Sequence, residues 1–399
     1  MPPIDQAALD ACVHCGLCLA ACPTYVELGT EADSPRGRIQ LMGGLAAGTL
    51  EPTAEVARHL DLCLGCRACE TACPSGVPYG RLIESVRPLV EARRSPGARI
   101  ARRLLASMLT TPGMARMLFA PARLLAGRRS LARVPLLGYA AALAPRRAPR
   151  LPAVLPAEGS ERGTAILLTG CVADTLFHDT NVATARLLAR AGVRVLVRRD
   201  LGCCGALAAH LGVAELAHRL SREVVRVVEE SGATWLVTNA AGCGAHLRGL
   251  DHVLAGDDAA RVAHKTRDAL ELLAELGLPA PSVPLRRRVA VHDPCHLAHG
   301  QGMRAPVRTL LASIPGIELV ELAESDWCCG SAGTYNLTEP AMAARLLARK
   351  LDNVDRSRAD LVVAANPGCL LQMRAGALAR RLDVTIEHPI DVLARVHGM

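Results

Sequence analysis

Residues 12–23 read Cys12-Val-His-Cys-Gly-Leu-Cys-Leu-Ala-Ala-Cys-Pro23, and residues 63–74 repeat the spacing as Cys63-Leu-Gly-Cys-Arg-Ala-Cys-Glu-Thr-Ala-Cys-Pro74. Both are C-x2-C-x2-C-x3-C-P, the run that holds cubane [4Fe-4S] clusters in two-cluster bacterial ferredoxins. A cubane takes thiolates from four directions. Three cysteines at intervals of three residues wrap three corners, and the fourth ligand arrives from the other motif. The spacing therefore predicts one cluster on Cys12, Cys15, Cys18 and Cys73, and a second on Cys63, Cys66, Cys69 and Cys22. Structural zinc sites also use C-x2-C, but as two pairs, without the third cysteine and the closing proline.

Between the motifs, residues 38–47 and 54–61 have helical composition, so residues 1–92 are expected to form a helical, ferredoxin-like domain. Arg36 and Arg38 lie between the motifs. They either raise a cluster potential by their charge or line a solvated turn. His14, with a full set of thiolates around it, reads as a packing or hydrogen-bonding residue.

The other eight of the sixteen cysteines form two quartets, Cys171, Cys203, Cys204, Cys243 and Cys295, Cys328, Cys329, Cys369. Corresponding members lie 124, 125, 125 and 126 residues apart, which points to a duplicated unit of about 120 residues. Around the first quartet, residues 164–169, 193–197 and 235–238 read as strands and 181–191 as a helix. The second answers with strands at 289–292, 317–322 and 361–364 and a helix at 306–314. Strands alternating with helices predict parallel α/β sheets. The expected fold class is thus α+β and α/β: a helical two-cluster domain, then duplicated α/β units over 158–284 and 285–399.

Each cysteine-bearing turn then follows a strand end, where open α/β sheets place their sites. Both units carry Cys-Cys-Gly, and a vicinal pair in a loop ending in glycine can turn both thiols to one site. Spacing leaves the occupant open among a further iron-sulfur or other metal centre, a redox-active thiol pair and simple packing. His210, His292, His296 and His299 lie near these turns, and His296, beside Cys295, is the first to examine.

Composition narrows the function classes. The chain has only two Trp, four Tyr and two Phe, too few for the stacking platforms of single-strand binders, so nucleic acid is not the expected partner. The formal charge of +8 is local: residues 92–157 contain thirteen Arg and no acidic residue, and the remainder is net acidic. This stretch, 93–157, reads as an Arg-rich helical connector, with apolar runs at 100–109, 114–125 and 134–143 that are too short to span a bilayer. Arg interleaved with Leu and Met suits either a helix on an anionic membrane surface or packing on protein. No signal-like stretch opens the sequence and no long apolar run interrupts it, so a cytoplasmic, at most peripheral protein is expected. No Gly-x-Gly-x-x-Gly follows a strand, so no flavin or nicotinamide fold is expected.

In these motifs the chain resembles the iron-sulfur subunit of bacterial glycolate oxidase. The resemblance rests on Ala11-Cys-Val-His-Cys-Gly-Leu-Cys18, Pro35-Arg-Gly-Arg-Ile39, Cys69-Glu-Thr-Ala-Cys-Pro-Ser-Gly-Val77 and Cys328-Cys-Gly-Ser-Ala-Gly-Thr-Tyr335, collinear over nearly the whole chain. It implies an electron-transfer subunit with no catalytic residue of its own. Its FAD-containing flavoprotein partners would oxidise glycolate to glyoxylate, and electrons would pass towards a membrane acceptor such as quinone. The same superfamily includes subunits for lactate oxidation, glycerol-phosphate oxidation and heterodisulfide reduction, and a non-catalytic redox sensor or scaffold is the rival of another class. One departure stands out: the fuller motif ends in C-x2-C, but Ala240 and Asn366 occupy the earlier position.

Overall fold

The computed structural model describes residues 4–131, 134, 137–143 and 148–399. An all-helical N-terminal domain precedes two sheets. Its longer helices, Pro35–Ala46, Ala54–Asp61 and Tyr79–Ala92, bury Ile39, Met42, Leu60, Leu82, Ile83 and Val86 against Cys63 and Cys69. Ser34 caps the first of these through a hydrogen bond from the Gly37 amide, and Pro35 at the first helical position needs no amide partner.

The first sheet contains β1 (Val154–Leu155), β2 (Gly163–Leu167), β3 (Val193–Leu196), β4 (Trp235–Thr238) and β5 (Thr266–Asp268) in the order β1-β3-β2-β4-β5. The second contains β6 (Arg287–His292), β7 (Ile317–Val320), β8 (Leu361–Ala364) and β9 (Thr385–Glu387) in the order β7-β6-β8-β9. Apart from β1, which is antiparallel to β3, every neighbouring pair is parallel. The strand order β3-β2-β4-β5 is thus repeated as β7-β6-β8-β9. Strand β1 falls within the stretch expected to be connector and extends the first sheet at its edge.

The two units share one core. Leu187, Leu188, Leu270 and Leu273 of the first pack in the same cluster as Leu310, Leu311, Ile390 and Leu393 of the second. Helix His178–Arg190 lies on Pro389–Val396, and Ala269–Leu276 lies on Ala305–Ala312. Each unit's early helix therefore meets the other's last, as a local twofold requires. The same relation sets Cys171–Leu176 against Pro367–Arg380 and Ala241–Arg248 against Cys295–Ala298. The cysteine-bearing ends of the two sheets face one another as a result.

The connector helices Pro96–Thr110, Pro112–Leu124 and Leu137–Ala141 lie across both units. Ala106 is buried with Ala208 and Leu211, Phe119 packs beside Leu176 and Leu143, and Tyr139 donates to Gln372 Oε1 at 2.6 Å.

Candidate functional site

The two cysteine motifs fold as the same loop. His14 and Gly16 flank Cys15 with φ of 55° and 83°, and Gly65 and Arg67 flank Cys66 with φ of 63° at both. L-residues rarely adopt this left-handed backbone. Two such residues per loop curl the chain around its second cysteine. Cys12, Cys15 and Cys18 line one cavity together with Cys73. Cys63, Cys66 and Cys69 line a second with Cys22. Each motif's last cysteine thus stands at the other motif's cavity, and Pro35, Cys69 and Tyr79 line both, which makes the cavities neighbours.

The donor sets suit two clusters. All sixteen cysteines are free. Burial pushes the Cys66 and Cys69 thiols well up, so these buried sulfurs become stable thiolates only with a cation among them. The Gly65 amide donates to Cys63 Sγ at 3.4 Å and the Tyr79 hydroxyl at 3.6 Å, contacts that tune a cluster's potential.

The paired arginines divide between the cavities. Arg36 lines the first and donates to the His14 carbonyl at 3.1 Å. Arg38 lines the second and is 1% exposed. Its guanidinium donates to the His59 carbonyl at 2.6 Å and to Thr24 Oγ1 at 3.0 Å, lies 3.9 Å from Cys22 Sγ, and is 3.5 Å from the equally buried Asp33. His14 sits against Gln40, 3.1 Å away, with Cys12 Sγ at 3.9 Å.

The other quartets occupy the strand ends. Cys171 opens the helix after β2, Cys203 and Cys204 follow β3, and Cys243 lies in the helix after β4; Cys295, Cys328, Cys329 and Cys369 hold the matching places after β6, β7 and β8. Gly205 and Gly330 end the vicinal pairs with φ of 98° and 86°. A Cβ there would lie 3.0 Å from the Ala217 carbonyl oxygen or 2.6 Å from that of Ala343, so the turn presses on a helix backbone where only glycine fits. Cys171 and Cys203 sulfurs are 3.4 Å apart. Hydrogen bonds from Cys203 and Cys243 hold the Cys204 thiol well below its usual range.

All eight of these cysteines line one cavity of about 450 Å³ between the units, roofed by Leu105, Leu109, Leu118 and Phe119 of the connector. Cys66 of the second cluster cavity packs in one buried cluster with Cys295, Cys328 and Tyr335. His210 and His296 also face the large cavity, their rings 5.5 Å apart. His296 Nδ1 is 3.5 Å from Cys295 Sγ, and burial lowers its pKa to about 4. His299 instead meets Thr71 Oγ1 at 2.9 Å. His292 lies among thiols: one of its ring nitrogens and the sulfurs of Cys329 and Cys369 are within 4.8 Å of one another.

Two functional candidates escape the cysteine pattern. Lys350 is fully buried, donating to the carbonyls of Glu324 and Ser325, and Tyr335 joins the domains. The signal for Lys350 was in the composition, since only Lys265 and Lys350 are lysine in a chain that otherwise uses arginine. An ammonium is more strongly hydrated than a guanidinium, so burying it is costly, and the two carbonyls stand in for the water it loses.

Comparison with known proteins agrees with this geometry. A 4Fe-4S dicluster domain matches residues 8–77, and a cysteine-rich domain matches twice, over 165–248 and 289–374. The glycolate oxidase iron-sulfur subunit of Escherichia coli (strain K12) is 36% identical over 97% of this chain and 94% of its own length. The "Probable glycolate oxidase iron-sulfur subunit" of Bacillus subtilis (strain 168) is 36% identical over 99% and 95%. More distantly, a component of the dihydromethanophenazine:CoB--CoM heterodisulfide reductase of Methanosarcina barkeri is 26% identical over 99% and 96%. The helical dicluster domain, the twice-repeated cysteine-rich unit and full-length identity of this degree together place the chain in the family of glycolate oxidase iron-sulfur subunits.

Proposed function

We propose that this chain is the electron-transfer subunit of a complex that oxidises glycolate to glyoxylate, with substrate chemistry on FAD-containing partner subunits. The observation that carries this reading is the sequence of thiol-lined sites: two adjoining cavities, the second of which packs through Cys66 against Cys295 and Cys328. Cys12, Cys15, Cys18 and Cys73 would hold one [4Fe-4S] cluster and Cys63, Cys66, Cys69 and Cys22 the other; bound there, the clusters supply one-electron transfer. The chain's own part is to seat them, to set their potentials through Arg36, Arg38 and Tyr79, and to exclude water from the second. The eight cysteines of the repeats supply further redox or metal sites around their common cavity. Residues 1–92, 93–157, 158–284 and 285–399 serve as cluster domain, connector and two repeat units, with β1 joining the first of these units.

The connector presents Leu104 and Met117, 57% and 78% exposed, beside its arginines, which supports a docking face for the cytoplasmic surface of a membrane holding the quinone acceptor. Among the described residues no helix is long and apolar enough to cross one. The deciding experiment is anaerobic purification with the partner flavoproteins, followed by addition of single 2-hydroxy acids. Glycolate should bleach the cluster absorbance. Bleaching by lactate alone would transfer the reading to a lactate-oxidising complex.

A further inference from the structure

The two repeat units are duplicates in backbone but differ in what surrounds their cysteines. Helix Ala214–Ser231 corresponds to Pro340–Ser357 and β4 to β8, each displaced by 126 residues. Leu167 pairs with Val237 in one sheet as Val291 pairs with Val363 in the other. On this register the buried apolar residues Leu168, Val224 and Ala240 of the first unit become His292, Lys350 and Asn366 in the second.

All three replacements bear on the same sulfurs. Asn366 Nδ2 donates to Cys369 Sγ at 3.4 Å. The ammonium of Lys350, 0% exposed, is held at the Glu324 and Ser325 carbonyls just before the Cys328-Cys329 turn. His292 Nδ1 is 2.9 Å from the Ser325 carbonyl oxygen. A carbonyl only accepts, so Nδ1 carries the proton and Nε2 keeps its lone pair. Among the described residues that buried Nε2 has no hydrogen-bond partner, and a nitrogen of its ring lies within 4.8 Å of the Cys329 and Cys369 sulfurs. A ring N–H fixed on a backbone carbonyl, with the opposite nitrogen unpartnered and two thiols near the ring, is how proteins orient a metal-binding imidazole.

We propose that the second repeat unit alone holds a metal centre, an iron or zinc site in which His292 Nε2 is a ligand together with Cys329 and Cys369. Mixed imidazole and thiolate donors suit these borderline-soft metals. The buried Lys350 offsets the negative charge of the thiolates, whereas the first unit has Leu168 in the place of His292, and its own imidazole near Cys204, His246, has Nε2 engaged by Ser221 Oγ at 3.1 Å. The inference rests on reading the Cys-Cys-Gly turns as metal or redox sites. Metal bound through the first unit instead would defeat the inference while sparing that reading.

The test uses the full chain, purified anaerobically, with iron and zinc counted by mass spectrometry. Metal is expected beyond the roughly eight iron of two cubanes. It should be lost in His292→Leu, retained in His292→Cys, where a thiolate replaces the nitrogen, and retained in Cys204→Ser of the first unit. The thermal unfolding of the full chain, read with the electron paramagnetic resonance of the N-terminal clusters, reports that each variant is folded. On the unaltered chain, zinc-edge absorption spectroscopy, or pulsed resonance if the metal is iron, should detect a histidine nitrogen in the first coordination sphere. Metal no greater than the cubane iron, an all-sulfur shell, or undiminished metal in folded His292→Leu would overturn the proposal. Loss in Cys204→Ser would overturn its confinement to the second unit.

Discussion

The hydroxyl of Tyr335 donates at 3.0 Å to the backbone carbonyl of Leu62, the residue before Cys63. This buried bond ties the second Cys-Cys-Gly turn to the loop that lines the second cluster cavity, and Met342 and Leu346 pack beside it. Tyr335→Phe strands that carbonyl, which should lower unfolding free energy by about 1–2 kcal/mol. Hydrogen exchange at residues 62–66 should speed up. An unchanged denaturation midpoint with unchanged exchange would show that the contact does not hold the two domains in register.

The exchanged positions of Cys22 and Cys73 make a prediction opposite to sequence proximity. Cys22→Ser should perturb the cluster seated by Cys63, Cys66 and Cys69, and Cys73→Ser the one seated by Cys12, Cys15 and Cys18. Resonance spectra of the reduced protein distinguish the two, with Cys15→Ala and Cys66→Ala as references. Each serine variant matching the reference of its own motif would refute the exchange.

Arg38 carries a charge that the second cavity keeps out of water, since it and Asp33 are each 1% exposed. Burial works against this charge, and the Asp33 carboxylate 3.5 Å away favours it. Arg38→Met should therefore lower the reduction potential of the second cluster. It should also destabilise the domain by about 1–3 kcal/mol, because buried Asp33 loses the guanidinium 3.5 Å away and keeps only His59 Nδ1 at 2.8 Å, and Thr24 and the His59 carbonyl lose their donor. Arg36→Gln should move only the first cluster's potential, and less, since Arg36 is 31% exposed. A potentiometric titration in which Arg38→Met leaves both potentials unchanged would contradict this division.

The strands that build the repeats were legible because they are short, mostly buried apolar runs: Trp235–Thr238 and Leu361–Ala364 fall where the sequence places them. Strands β5 and β9, three residues each with sequences Thr-Arg-Asp and Thr-Ile-Glu, have no periodicity to read. Their pairing is a tertiary effect. The helices at 100–109 and 114–125 were legible as well, but not the apolar face that docks on the repeats; of 134–143, only 134 and 137–143 lie among the described residues. Chain proximity points to His296, whereas among the described histidines the buried ring nitrogen without a partner belongs to His292, three residues before Cys295. Only the register between the two sheets reveals that Leu168 is its counterpart.

Packing consumes part of the connector's charge. Arg94 pairs with Asp61 and Glu91, Arg102 with Glu91, and Arg116 with Asp174. Ile100, Leu104, Met117 and Leu124 nevertheless remain more than half exposed. Each remaining arginine near an anionic leaflet contributes about 1 kcal/mol, a field that shrinks to roughly 3 Å at 1 M salt. The protein should sediment with anionic vesicles at low ionic strength and leave them on a salt wash without detergent. Met117→Glu should weaken the association. Full solubility at low salt, or release by detergent only, would count against a surface-bound connector.

The most direct measurement follows electrons through the assembled complex when one cluster is missing. With Cys66→Ala, glycolate should still reduce the flavin of the partner protein, while transfer to the natural acceptor stops and the absorbance of the remaining cluster reports where the electrons halt. Turnover with the natural acceptor at the unaltered rate, in a complex shown to lack that cluster, would contradict the role of this chain as the electron path.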